Sequence, residues 1–217
     1  MLRTVRLIAA VVCFVLITLL FLDFTGTLHP WLGWLAKIQL LPAILAMNVG
    51  VVLFLVLLTL LAGRIYCSVI CPLGVFQDVV SWIAGKRKKR RFSYSPAMNR
   101  LRYGVLILFI VALVAGVGSL VALLDPYSAF GRIASNLLNP VYLWVNNLLA
   151  DAAERVESYA FYHTNIWIRS LSVLLTAAVT LVVVSVLAWR NGRTYCNTVC
   201  PVGTFLGFLS RYSYLKP

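Results

Sequence analysis

The sequence GRTYCNTVCPVGTF at residues 192–205 repeats an earlier stretch, GRIYCSVICPLGVF at residues 63–76. The two stretches agree at eight of fourteen positions, which hold Gly, Arg, Tyr, Cys, Cys, Pro, Gly and Phe. They lie 129 residues apart in a chain of 217 residues. A motif of this length written twice indicates an internal duplication. The chain therefore carries the same cysteine pair in two equivalent places.

The rest of the composition is that of a membrane protein. Hydrophobic residues make up 62% of the chain and charged residues only 12%. A transmembrane helix needs about 20 mostly apolar residues, and four stretches qualify: 5–22, 43–62, 101–124 and 166–189. The first follows a basic start but precedes no small-residue cleavage site, so we interpret it as a retained anchor. The sequence predicts an all-α integral membrane protein with four transmembrane helices.

The charge distribution predicts the orientation of these helices. With the N-terminus inside, fifteen of the nineteen basic residues lie on the cytoplasmic side, including the polybasic run at 86–91. Five of the six acidic residues then lie outside. This is the asymmetry of the positive-inside rule, and it explains the net charge of +13 without nucleic acid. We expect a multi-pass protein of a cytoplasmic membrane with both termini cytoplasmic, the lipid bilayer as a partner, and no nucleic-acid partner.

The duplication extends beyond the cysteine motifs. The first and third apolar stretches end in LLFLD at Asp23 and VALLD at Asp125. We divide the chain into a first repeat at 1–85, a polybasic cytoplasmic loop at 86–100, and a second repeat at 101–217 with a longer outer loop. Both repeats have the same orientation, so they form a parallel repeat around an axis along the membrane normal. That symmetry brings both motifs to the centre of the cytoplasmic face. The outer loops are rich in Trp and Tyr, which is typical of short interfacial helices.

The four motif cysteines are candidate metal ligands: Cys67, Cys71, Cys196 and Cys200. Within each pair, the i, i+4 spacing places both thiols on one face of a helix. The cytoplasm is reducing, which disfavours structural disulfides there. Four thiolates suit one [4Fe–4S] or [2Fe–2S] cluster, and they equally suit one tetrahedral zinc. The first reading predicts electron transfer; the second predicts a scaffold or assembly subunit.

The residues that flank the cysteines are candidates for supporting roles. Glycines bracket each motif and allow the backbone to turn or to approach the site closely: Gly63, Gly74, Gly192 and Gly203. A proline follows the second cysteine of each pair: Pro72 and Pro201. An arginine precedes each pair: Arg64 and Arg193. These arginines either raise the reduction potential of an anionic cluster or anchor the chain at the cytoplasmic side.

Asp23 and Asp125 admit two interpretations. They either end their helices at the interface or supply protons to a quinone, since ionisable groups at membrane depth can mark proton paths.

The two motifs, each placed after a membrane span, resemble the Cys-x3-Cys-Pro signatures of the membrane polyferredoxin family, and LDPY at 124–127 resembles it as well. That family includes the quinol-oxidising membrane subunit of periplasmic nitrate reductase and the regulatory flavoprotein of nitrous oxide respiration. The resemblance implies a prokaryotic inner-membrane protein with an iron–sulfur cluster. It would relay electrons between a quinone or ferredoxin-level donor and a redox partner, such as a flavoprotein.

Family members usually continue into a cytoplasmic ferredoxin-like domain with further cysteine-rich runs. This sequence has no cysteine after Cys200. We expect that domain to have been truncated or to lie in a separate subunit. The resemblance thus implies an electron-transfer component rather than a stand-alone enzyme.

Overall fold

The computed structural model describes residues 2–23, 26–87, 99–154, 162–165 and 170–214. Within these ranges every regular element is a helix and no strand is present, which confirms the all-helical class. The first half contains α1 (Leu2–Leu22), α2 (His29–Lys37), α3 (Leu40–Leu45), α4 (Val49–Ala62), a π-helical turn (Tyr66–Ile70) and α5 (Pro72–Arg87). The second half contains α6 (Asn99–Val114), α7 (Gly118–Leu124), α8 (Pro126–Ile133), a π-helical turn (Ala134–Leu138), α9 (Asn139–Glu154), α10 (Leu171–Asn191), α11 (Thr194–Thr198), α12 (Pro201–Leu209) and a final 3-10 turn (Ser210–Tyr212).

Two of the four predicted spans are continuous helices long and apolar enough to cross a membrane. They are Thr4–Leu22 within α1, and α10. Few of their residues are buried, and large apolar side chains such as Leu7 at 65% and Val182 at 60% are exposed. Apolar surface exposed on this scale marks a face that meets lipid or another protein.

The predictions of unbroken helices over 43–62 and 101–124 were wrong. The first range holds the end of α3 and then α4, which is only 14 residues long. The second holds α6 and α7 with a break between them. Each break has the hydrogen bonds of a Schellman motif: Asn48 N to Ala43 O and Val117 N to Ala112 O, both 2.9 Å. Met47 (φ 51°) and Gly116 (φ 72°) supply the left-handed residue that this cap requires. Average hydropathy does not detect such a cap, because the flanking residues apart from Asn48 are apolar or glycine.

The first outer loop folds back towards the first motif. Gln39, between α2 and α3, is fully buried, and its Nε2 donates to the backbone oxygen of Ile70 at 3.3 Å. The Tyr66 hydroxyl in turn donates to Gln39 Oε1 at 2.9 Å. Part of a segment predicted to form interfacial helices therefore lies inside the protein. The polar groups of Gln39 and Tyr66 satisfy each other inside the protein, so burying them costs little.

A second segment, α8, packs against the same core. Its Phe130 lies 5.3 Å from Phe14 of α1 between ring centroids. Phe130 shares one apolar cluster with the buried residues of both motifs, whose members include Ile17, Leu35, Leu55, Tyr66, Cys67, Cys71, Leu73, Val184, Tyr195, Cys200 and Leu206. The main core of the molecule is thus built around the two cysteine motifs.

Candidate metal centre

Each motif begins with a glycine that ends the preceding helix. Gly63 follows α4 with φ 68° and ψ −139°, and Gly192 follows α10 with φ 74° and ψ −125°. This region of backbone space is essentially restricted to glycine. The two glycines therefore turn the chain out of the helix and into the motif.

The cysteines of each pair do not share a face of one continuous helix. Cys67 lies in the π-helical turn and Cys196 in α11, whereas Cys71 and Cys200 have extended backbones with ψ of 114° and 117°. The i, i+4 prediction was wrong because a proline follows each second cysteine. A residue before proline is sterically driven out of the helical region. Each pair therefore spans the junction between two helices.

The second cysteine of each pair sits at the N-terminus of a helix. Pro201 starts α12, and the Gly203 amide donates to Cys200 Sγ at 3.3 Å. In the first repeat a hydrogen bond from the Gly74 backbone likewise lowers the pKa of Cys71, although burial raises it by more. Amides and the helix dipole at this end favour negative charge. The site is thus arranged to accept thiolate or sulfide charge.

Two glycines allow each motif to pack tightly upon itself. A Cβ on Gly74 would collide with the backbone oxygen of Cys67, and one on Gly203 with that of Cys196. Each helix that follows a second cysteine therefore starts in direct contact with the backbone of the first cysteine.

All four motif sulfurs are buried in one place. The exposed fractions are 7%, 3%, 6% and 2% for Cys67, Cys71, Cys196 and Cys200. Burial raises the pKa of every one of these thiols, that of Cys67 to about 12. Cys196 raises the pKa of the other three further. A hydrogen bond from Gln77 of α5 to Cys196 Sγ brings the two motifs close together. A metal group binding here must displace the thiol protons.

The structure does not place the sulfurs as a single zinc ion would hold them. Zinc with about 2.3 Å bonds holds four thiolates about 3.8 Å apart. Among the described residues, no three of the cysteine sulfurs lie within 4.8 Å of one another.

Reciprocal polar contacts tie the two motifs together. Arg193 forms an ion pair with Asp78 of α5, and Arg64 Nη1 donates to Asn197 Oδ1 at 2.8 Å. Each arginine thus reaches into the other repeat. Both also lower the pKa of Cys67, against the larger effect of burial. The two arginines therefore bring positive charge to the cysteines as well as linking the repeats.

Sequence reasoning missed the polar residues that meet the motifs from the other repeat. Asp78 forms the ion pair with Arg193, and Asn197 accepts the hydrogen bond from Arg64. Gln77 Nε2 donates to Cys196 Sγ at 3.2 Å. One signal was available for Asp78, which is the only acidic residue on the predicted cytoplasmic side. Gln77 carries no such signal, because a lone amide in an amphipathic helix is ordinary.

Asp23 and Asp125 both cap helices. The Asp23 carboxylate accepts from the amides of Leu28 and His29 at 2.8 and 3.1 Å. The Asp125 carboxylate accepts from the amide and hydroxyl of Ser128, both at 2.8 Å. Only Asp125 is buried, at 1% exposure.

The fold and the site define a class: a helical chain with a buried four-cysteine centre suited to an iron–sulfur cluster. Sequence comparison bears on this directly. The family model described as a 4Fe-4S binding domain (Fer4_5) matches residues 44–91 and 172–215, so each matched segment contains one motif. No solved structure matches the chain.

Curated relatives carry ferredoxin-type names. The methylamine utilization ferredoxin-type protein MauN of Paracoccus denitrificans is 25% identical over 168 residues, and its counterpart in Methylobacillus flagellatus is 28% identical over 169 residues. The ferredoxin-type protein NapH of Escherichia coli is 27% identical over 169 residues. These alignments cover 77–78% of this chain but 46% of each relative, so the chain spans about half the length of the curated relatives it matches.

The 4Fe-4S family match and the similarity to MauN and NapH support the polyferredoxin resemblance that the motifs indicated. These findings support an iron–sulfur electron-transfer role and a [4Fe–4S] type of site. They give no support to the zinc alternative.

Proposed function

We propose that Cys67, Cys71, Cys196 and Cys200 together hold one [4Fe–4S] cluster. The observation that carries this proposal is the burial of all four cysteines, with the two motifs joined by contacts from each repeat to the other. Such a cluster supplies one-electron transfer when bound. The protein excludes water from the sulfurs, and the Gly203 amide with Arg64 and Arg193 offsets negative charge there.

The chain acts as an electron relay at the cytoplasmic side of a prokaryotic inner membrane. Its donor is a quinone or a ferredoxin-level carrier, and its acceptor is a redox protein such as a ferredoxin-like subunit or a flavoprotein. The ferredoxin-type names of the relatives support a redox partner of this kind. Asp125 is the better of the two aspartates for proton exchange with a quinone, because it is buried beside the core.

The membrane arrangement has four crossings and both termini in the cytoplasm. α1 and α10 cross as long single helices, and the shorter helices α4 and α6 supply the other two crossings. The concentration of basic residues at 86–91 on one predicted side supports this orientation.

Anaerobic purification followed by iron, sulfide and visible-absorption analysis tests the cluster. We expect about four irons and four sulfides per chain. A Cys200→Ser variant should lose most of its iron, because it removes one of the four ligands. Cys13→Ser is the matched control: Cys13 lies in α1, outside the motifs, and its loss should leave the iron content unchanged. Full iron in the Cys200→Ser protein would exclude a site shared by all four cysteines.

A further inference from the structure

One cysteine receives a hydrogen bond from a side chain of the other repeat. Gln77 lies on α5 and is fully buried, and its Nε2 donates to Cys196 Sγ at 3.2 Å. The same nitrogen contacts the backbone oxygen of Leu73 at 3.3 Å, one helical turn earlier. The amide is thus held on the helix and aimed at the sulfur.

Packing alone does not explain a glutamine at this position. Its Oε1 is buried and has no hydrogen-bond partner among the described residues. An unsatisfied buried polar atom destabilises the folded state. The residue 129 positions later, at the same place in the second repeat, is Leu206, which is also fully buried. An apolar side chain therefore fits this environment, and glutamine is present in one repeat despite its cost.

The difference makes the four-cysteine site asymmetric. From α5, Gln77 reaches Cys196 and Asp78 reaches Arg193. The equivalent positions of α12 hold Leu206 and Gly207, which offer no polar side chain. Cys196 of the second motif therefore has a side-chain donor on α5 that has no equivalent on α12.

We propose that Gln77 is a positioning residue that raises the reduction potential of the site through its hydrogen bond to Cys196. This rests on the cluster proposed above. Reduction adds negative charge that is shared with the ligating sulfurs, and a donor at a sulfur stabilises the reduced state more than the oxidised one. Hydrogen bonds to ligand sulfurs are among the factors that set cluster potentials. Gln77 would act on Cys196 and not on Cys67, which is the equivalent cysteine of the first repeat.

The test compares full-length wild type with Gln77→Leu, which installs the side chain of the second repeat. Iron and sulfide are measured first, and the midpoint potential is then obtained by titration followed by electron paramagnetic resonance. We expect full iron and about a tenfold smaller equilibrium constant for one-electron reduction, equivalent to a potential about 59 mV lower. Gln77→Met, unbranched and without a donor, should shift the potential in the same direction.

Ser81→Ala is the matched control. Ser81 lies on the same helix, and its hydroxyl donates to backbone oxygens, to that of Gln77 at 2.7 Å and to that of Ala188 in the second repeat at 3.2 Å. Its loss should leave the potential unchanged. An unchanged potential in Gln77→Leu with full iron would overturn the inference and leave the cluster proposal intact. Loss of iron in both Gln77 variants would overturn it in favour of a structural role. Iron-free wild type would overturn the cluster proposal itself.

Discussion

At the scale of single residues, glycine has two different functions in each motif. Gly63 and Gly192 adopt backbone angles that other residues avoid. Gly74 and Gly203 have no such angles, and their importance is steric, because a side chain would occupy the position of a carbonyl oxygen. The second kind is the more direct probe of the site, since its backbone contact is with the first cysteine of the pair.

Gly74→Ala should destabilise the protein by about 3 kcal/mol, the upper range for overpacking, and should lower its iron content. The added methyl group must push the start of α5 away from the Cys67 backbone. Thermal unfolding in detergent and iron analysis measure the two effects.

Gly104→Ala provides the control for this substitution. Gly104 lies within α6, and a Cβ there would meet nothing within 4 Å. Alanine should raise stability by up to about 1 kcal/mol through its better helix propensity. Equal behaviour of the two alanine variants would show that the close approach at Gly74 is unimportant.

At the scale of elements, the two helix breaks share one cap but fill it with different residues. Gly116 adopts its positive φ without strain, whereas Met47 adopts a similar angle at a cost. The side chain of Met47 is 85% exposed, so it contributes little packing to offset that cost. The same backbone geometry therefore predicts opposite effects of substitution at the two breaks.

Met47→Gly should raise stability by about 1 kcal/mol, and Gly116→Ala should lower it by a similar amount. No atom lies within 4 Å of a Cβ at Gly116, so that change isolates the backbone effect. The unfolding midpoints of the two variants and the wild type, measured in the same detergent, give both stability changes. Shifts of the same sign in the two variants would contradict the shared left-handed cap.

At the scale of the whole molecule, the two repeats are held together at the motifs by charge as well as by apolar packing. The Arg193–Asp78 ion pair joins them, with 34% and 42% of the two side chains exposed. Partial exposure screens the pair, so its net contribution is that of a surface-type bridge.

A double-mutant cycle with Asp78→Asn and Arg193→Gln should give a coupling free energy of about 1 kcal/mol. The coupling should decrease as salt is raised, since part of the pair is accessible to solvent. Chemical or thermal unfolding measures it. Strictly additive effects would show that the pair does not link the repeats energetically.

The proposed orientation is tested by limited proteolysis of the intact chain in vesicles. If the basic run faces the cytoplasm as proposed, trypsin should cut within residues 86–91 in inside-out vesicles and leave this run intact in right-side-out ones. A variant with glutamine at all six positions should resist tryptic cleavage at this run in both vesicle orientations. Cleavage restricted to right-side-out vesicles would reverse the predicted topology.

Much of this protein was accessible from sequence alone. The helical class, the apolar character of α1 and α10, and the motif duplication follow from composition, hydropathy and a repeated string. Cys67, Cys71, Cys196 and Cys200 were identifiable as a set because the repeat places the same residue types at the same spacing. These features are local in the sequence, so they can be recognised without knowing how the helices pack.

Only the tertiary structure decided the helix breaks, the return of Gln39 to the first motif, and the contacts of Gln77, Asp78 and Asn197 with the opposite repeat. A Schellman cap in an apolar stretch leaves hydropathy unchanged, so the breaks were hidden. Contacts between repeats join residues 115–133 positions apart in the chain. The physical reason is that composition and spacing determine which groups a chain carries, whereas the partner of a buried polar group depends on which helices pack together.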